Sequence, residues 1–139
     1  MALRRSQLAV GQSHQEVVVE NLTRTQIVMY AGASGDFHPF HSDERYARAM
    51  GLPGVFAHGM LTMGLTGKAL SNFVGDGRLT HYAARFVSQV WPGDTLIARI
   101  EVKALREQAA QSLADLEITT RNQKGEAVLT GSATARIDA

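Results

Sequence analysis

The sequence predicts an α+β fold in which one long, buried helix lies against an antiparallel sheet. Three observations lead there. Gly59–Val74 carries Met60, Leu61, Met63, Leu65, Ala69, Leu70, Phe73 and Val74 around nearly its whole circumference, with Lys68 and Asn72 as the clear polar breaks. A helix so apolar is covered on most sides. At about 1.5 Å per residue it runs roughly 24 Å, the width of a small sheet. After Gly75-Asp76-Gly77 the apolar period drops from helical to two. The alternating segments then follow one another without an intervening helix, as in α+β chains whose sheet has one covered face.

Val17, Val18 and Val19 mark a first strand over Gln15–Glu20. Thr23 with Gln26 forms a capping box, so a helix runs from about Arg24 to Ala33 and weakens at Gly32. Ser34-Gly35-Asp36 reads as a turn, and Pro39 bars helix nearby. A short helix over Asp43–Met50, capped by Asp43 or Ser42, closes at Gly51 and Pro53. Downstream of the long helix, Tyr82, Ala84 and Phe86 share a face opposite His81 and Arg85. Trp91-Pro92-Gly93-Asp94 is a turn. Leu96, Ala98, Ile100 and Val102 then alternate with polar neighbours, as do Ala114, Leu116 and Ile118. Asn122–Gly125 connects a hairpin to a last strand with Ala127, Leu129, Gly131 and Ala133 on one face.

The 139 residues are expected to form one domain, 1–139. Hydrophobic residues are 45% of the chain, enough for a core. Fourteen Lys and Arg against 13 Asp and Glu leave a net charge of +1 and no basic block, so nucleic acid is not an expected partner. The absence of cysteine rules out disulfides and thiolate metal sites and suits a reducing compartment. The N-terminal MALRRSQLAVGQSHQEVVVE has no apolar stretch of signal length, and no segment is long enough to span a bilayer, so the cytosol is the expected location.

Three of the five histidines, His38, His41 and His58, fall within 21 residues. Asp36 and Pro39 sit among them in Gly35-Asp36-Phe37-His38-Pro39-Phe40-His41. A loop stiffened by proline can converge Asp36 and His41 on one small molecule, the arrangement that paired proton transfer needs. Ala57-His58-Gly59-Met60 opens the long helix, where unpaired N–H groups and the helix dipole favour negative charge. With no side chain in the way, the Gly59 N–H suits a carbonyl oxygen that becomes an oxyanion. His41 alone would also serve as a helix cap, and Gly59 as a packing residue. Met60 and Met63 read most simply as core, and His14 and His81 as surface. Two histidines three apart with Asp36 and His58 can be read as a loose metal site.

Gly35-Asp36-x-x-Pro39-x-His41 followed by Ala57-His58-Gly59-Met60 resembles the MaoC-like dehydratases, the hotdog-fold (R)-specific enoyl-CoA hydratases, and the resemblance extends over nearly the whole chain. It implies a hotdog domain with the long helix wrapped by the sheet. It implies a homodimer or higher homo-oligomer, an acyl-CoA or acyl-carrier-protein thioester substrate, and neither cofactor nor metal. Asp36 and His41 would activate one water for addition to a trans-2-enoyl thioester, and the Gly59 N–H would hold the enolate. His38, Pro39, His58 and Met60 would bind substrate or support the pair. Two positions depart from the family pattern. His38 stands where Asn is usual, and Gly67 stands where some members carry a Ser that supports the catalytic Asp. A hotdog thioesterase and a non-catalytic acyl-CoA-binding or partner subunit are the alternatives.

Overall fold

The architecture is seen in a computed structural model that describes residues 3–139. The first two residues of the N-terminal stretch read above for an export signal lie outside that range. Strand β1 spans Ser13–Val19. Helix α1 spans Arg24–Ser34 and opens with the expected capping box: Thr23 Oγ1 accepts from the Gln26 N–H, and Gln26 Oε1 from the Thr23 N–H. It closes at Gly35, whose φ of +76° is a left-handed conformation that glycine adopts without strain. Helix α2, Glu44–Ala49, is capped by the Asp43 carboxylate, which accepts from the N–H groups of Arg45 and Tyr46. Helix α3 covers Gly59–Val74.

The sheet contains β2 (Leu79–Phe86), β3 (Leu96–Gln108), β4 (Gln111–Arg121) and β5 (Ala127–Ile137). Its spatial order is β1-β3-β4-β5-β2, antiparallel throughout. Strand β2 thus lies at the far edge beside β5 rather than beside β3, its successor in the chain. Helix α3 packs against β1, β2, β3 and β5. Contact with both edge strands requires the sheet to curl around the helix.

The core lies between them. Leu96, Ala98, Ile100 and Val102 of β3, Ile118 of β4 and Leu129 of β5 are fully buried. They meet a stripe on α3 made of Thr62, Thr66, Ala69, Leu70 and Val74. Burial of a side chain such as Leu70 is worth about 1.5–3 kcal/mol. Two threonines in that stripe are polar, and Thr66 discharges its hydroxyl against Thr120 Oγ1 of β4 at 2.7 Å. Helix α3 is covered on most sides, as expected, but not on all of them. Met60, Gly64, Lys68 and Asn72, four apart, form an exposed stripe. Met60 is 54% exposed and is no part of the core. Extending the Lys68–Asn72 spacing one and two turns back places it there.

Candidate active site

The loop that leaves α1 is held by its own polar groups. The Asp36 N–H donates to Ser34 Oγ at 3.2 Å, and the His38 N–H donates to Asp36 Oδ1 at 3.3 Å. Pro39 begins a 3-10 turn over Pro39–His41, where its fixed φ suits the first position. His38 caps that turn, its Nδ1 accepting from the Phe40 N–H at 3.2 Å. An Asn carbonyl oxygen is the ordinary group for such a cap. The departure at His38 therefore replaces one local acceptor with another.

Three hydrogen bonds join this loop to the segment before α3. The Phe56 N–H donates to the Phe40 carbonyl at 3.1 Å. His41 Nδ1 donates to the Phe56 carbonyl at 2.6 Å, and His58 Nε2 donates to the Asp36 carbonyl at 3.0 Å. A carbonyl only accepts, so both tautomers follow. His41 carries its hydrogen on Nδ1, which leaves Nε2 as a bare acceptor. That nitrogen lies 4.0 Å from Asp36 Oδ2. Two acceptors form no direct hydrogen bond, and 4.0 Å is the gap that one intervening donor spans. Asp36 is 54% exposed in its side chain and His41 only 10%. Burial is the main influence pulling the His41 pKa below 6.5; the neighbouring His58 and His38 add to it, while the Phe56 carbonyl and the Asp36 carboxylate oppose it.

The ring of His58 stacks on His41 at 3.8 Å between centroids, with planes 23° apart. Asp36, His41 and His58 offer ligand atoms within 4.8 Å of one another. A metal would have to lie in the plane of each ligating imidazole. Planes stacked this nearly parallel meet far outside bonding range, so this arrangement does not fit a shared ion.

Gly59 opens α3, so its N–H has no partner within the helix. It borders a cleft of about 310 Å³ lined by Phe56, Thr62, Phe86, Val90 and Val128 among others. A Cβ at position 59 would stand 2.7 Å from the Phe86 ring, so the close approach admits only glycine without movement of Phe86. At Gly67, a Cβ would stand 3.2 Å from the Tyr82 ring, whose hydroxyl donates to the Met63 carbonyl at 2.8 Å. Tyr82 thus crowds the place a serine would need, and the Asp36 carboxylate takes its support from the His38 amide instead. Burial raises the Tyr82 pKa to about 12.

Of the residues expected at the site, Asp36, His38, Pro39, His41 and His58 come together; Gly59 and Met60 follow directly on His58, with Met60 turned outward. Sequence reasoning missed Phe56 and Phe86. Phe56 acts through its carbonyl, which side-chain identity does not reveal. Phe86 was placed on the correct face but not against Gly59.

The residue pattern and this geometry define a helix-and-sheet domain with an Asp–His pair beside the start of its long helix; comparison with known proteins identifies the family and the fold. Residues 5–123 match the MaoC like domain family, and the chain belongs to that family. It is 33% identical over 100 residues to the peroxisomal enoyl-CoA hydratase 2 of Arabidopsis thaliana, covering 70% of this chain and 32% of that protein. It is 37% identical over 87 residues to 3-hydroxyacyl-thioester dehydratase Y of Mycobacterium tuberculosis, covering 60% and 30%. The chain spans about a third or less of the length of these curated relatives. Among solved structures it is similar to the R-hydratase PhaJ1 from Pseudomonas aeruginosa, with TM-score 0.87, 26% identity, and coverage of 99% and 86%. The (R)-hydratase from A. caviae aligns with TM-score 0.83 and 29% identity, covering 94% and 97%. The fold is the hotdog arrangement, as the resemblance implied.

Proposed function

We propose that the chain is a hydro-lyase that interconverts trans-2-enoyl and (R)-3-hydroxyacyl thioesters. One observation carries this: a carboxylate oxygen and a bare imidazole nitrogen, 4.0 Å apart, with the imidazole's other nitrogen tied to the Phe56 carbonyl. A water held at about 2.8 Å from each subtends about 90° and donates one hydrogen to each. As its oxygen bonds to the β-carbon, one of the two acceptors takes a proton. The β-carbon gains OH, the α-carbon gains H from the conjugate acid on the same face, and the C=C π bond is consumed. The thioester carbonyl passes through an enolate, whose charge the Gly59 N–H at the head of α3 receives. The low pKa of His41 keeps the imidazole neutral and able to accept at physiological pH. The names of the relatives support the reaction class.

The same reading takes CoA or acyl-carrier-protein thioesters as substrates and needs no cofactor. It places the protein in the cytosol as a homodimer whose two sheets join edge to edge, β2 being the free edge beyond β5. No helix among the described residues is long and apolar enough to cross a membrane. Incubation with crotonyl-CoA tests the reaction. Loss of the conjugated enoyl absorbance without free thiol is the expected result. Thiol release would favour the thioesterase alternative, and binding without turnover the non-catalytic one. A ladder of acyl lengths then reads chain preference, and light scattering reads the dimer.

A further inference from the structure

His58 is only 2% exposed, yet it stands at the head of α3 without capping it. Its ring turns toward the loop that carries Asp36. Nε2 donates to the Asp36 carbonyl, one face stacks on His41, and the edge meets the Tyr30 ring at 4.8 Å. Nδ1 is buried with no hydrogen-bond partner. A buried polar atom left unpaired costs stability, and an apolar ring of similar shape would avoid that cost. The ring's hold on Asp36 and His41 is what an apolar substitute would lose.

We infer that His58 is a positioning residue: its Nε2–H fixes the main chain at Asp36 while its ring backs His41, and together these set the gap between carboxylate and imidazole. This rests on the hydratase reading for its catalytic consequence but not for its geometry. Asp36 is exposed and His41 is not, so without His58 the Asp36 side would drift more freely. A misplacement of about 1 Å between reacting groups can cost 10²-fold. His58 also acts on His41 electrostatically. The charged and titratable groups facing His41 are His58, Asp36 and His38, and His58 is one of those that disfavour protonation of His41.

The test uses His58→Phe and His58→Gln in the full chain. Phe keeps a stacked ring and removes the donor; Gln keeps a donor near the position of Nε2 and removes the stack. His58→Phe is expected to lower kcat by about 10²-fold with KM little changed and to stay folded, the lost donor to the Asp36 carbonyl being partly offset by removal of the unpaired Nδ1. His58→Gln should recover much of that kcat. In both variants the His41 titration midpoint, followed by NMR of its ring carbons, should rise. Wild-type kcat in His58→Phe, or a His41 midpoint unmoved in both variants, overturns the proposal. A wild-type protein that turns over no enoyl thioester overturns the hydratase reading instead, and the His41 titration then decides the His58 coupling alone.

Discussion

Asp36→Asn is nearly isosteric, so it separates charge from shape. Asn Oδ1 still accepts from the His38 N–H, and the loop keeps the contact that now measures 3.3 Å. The side chain is 54% exposed and faces a neutral imidazole, so the change should cost under about 1 kcal/mol of stability. For a chain of this size that moves Tm by about 4 °C or less. The chemical cost is larger. The variant has no carboxylate to hold or deprotonate water, and its NH2 offers a competing donor to His41 Nε2. Loss of an acid–base partner lowers kcat by about 10²–10⁴, or roughly 2.7–5.4 kcal/mol of barrier. The pH dependence supplies an independent sign. Asp36 raises the His41 pKa, so the acid limb of the residual activity should move to lower pH in the variant. Hydration of crotonyl-CoA, measured across pH at saturating and subsaturating substrate, reads both effects beside a thermal melt. A folded Asp36→Asn protein with kcat within about threefold of wild type would refute the assignment of the carboxylate.

Four further outcomes are expected. The acid limb of wild-type kcat/KM should lie below pH 6.5, because buried His41 must lose its proton to act and its pKa is depressed. The same depression makes the unfolded chain bind more protons than the folded one just below pH 6.5; stability should therefore fall on acidification through that window, measured by urea titration at several pH values. His38→Asn should keep activity, because Asn Oδ1 can accept from the Phe40 N–H as His38 Nδ1 does; His38→Ala removes that acceptor and should lose about 1 kcal/mol of stability, and equal melts for the two would reject the capping role. Ala109 and Ala110 join β3 to β4 with φ of +50° and +62°, so an Ala109→Asn, Ala110→Gly double variant should gain about 1 kcal/mol or more, read as a higher Tm.

That Ala-Ala turn shows where the sequence was opaque. Nothing in two alanines announces two left-handed residues; the strands on either side impose them. The Asn122–Gly125 connection was legible because Asn122 Oδ1 accepts from the N–H groups of Lys124 and Glu126, a local bond that its side chain advertises. The α3 boundaries were legible from Gly59 and Gly75, and the β3 to β5 faces from alternation. Strand order was not. The pairing of β2 with β5 and β1 with β3 is non-local and leaves no period in the chain. At the site, Asp36, His41, His58 and Gly59 stood out by residue type and spacing. The bonds that bring them together run through the carbonyls of Asp36, Phe40 and Phe56, which every residue possesses. Met60 was misplaced because its apolar side chain was read as core, although the four-residue spacing of Lys68 and Asn72 carried back to Gly64 and Met60 marks the outward stripe.

The position of α3 within the chain has a consequence for biosynthesis. Its apolar stripe is synthesised before β3, β4 and β5, which cover it. Sixty-three residues separate Val74 from Ile137, the end of the last strand. At typical elongation speeds that is about 3–13 s before the whole surface that the helix buries against has been made. The residues that hold the site are made early, but they acquire their support only when the final hairpin is complete.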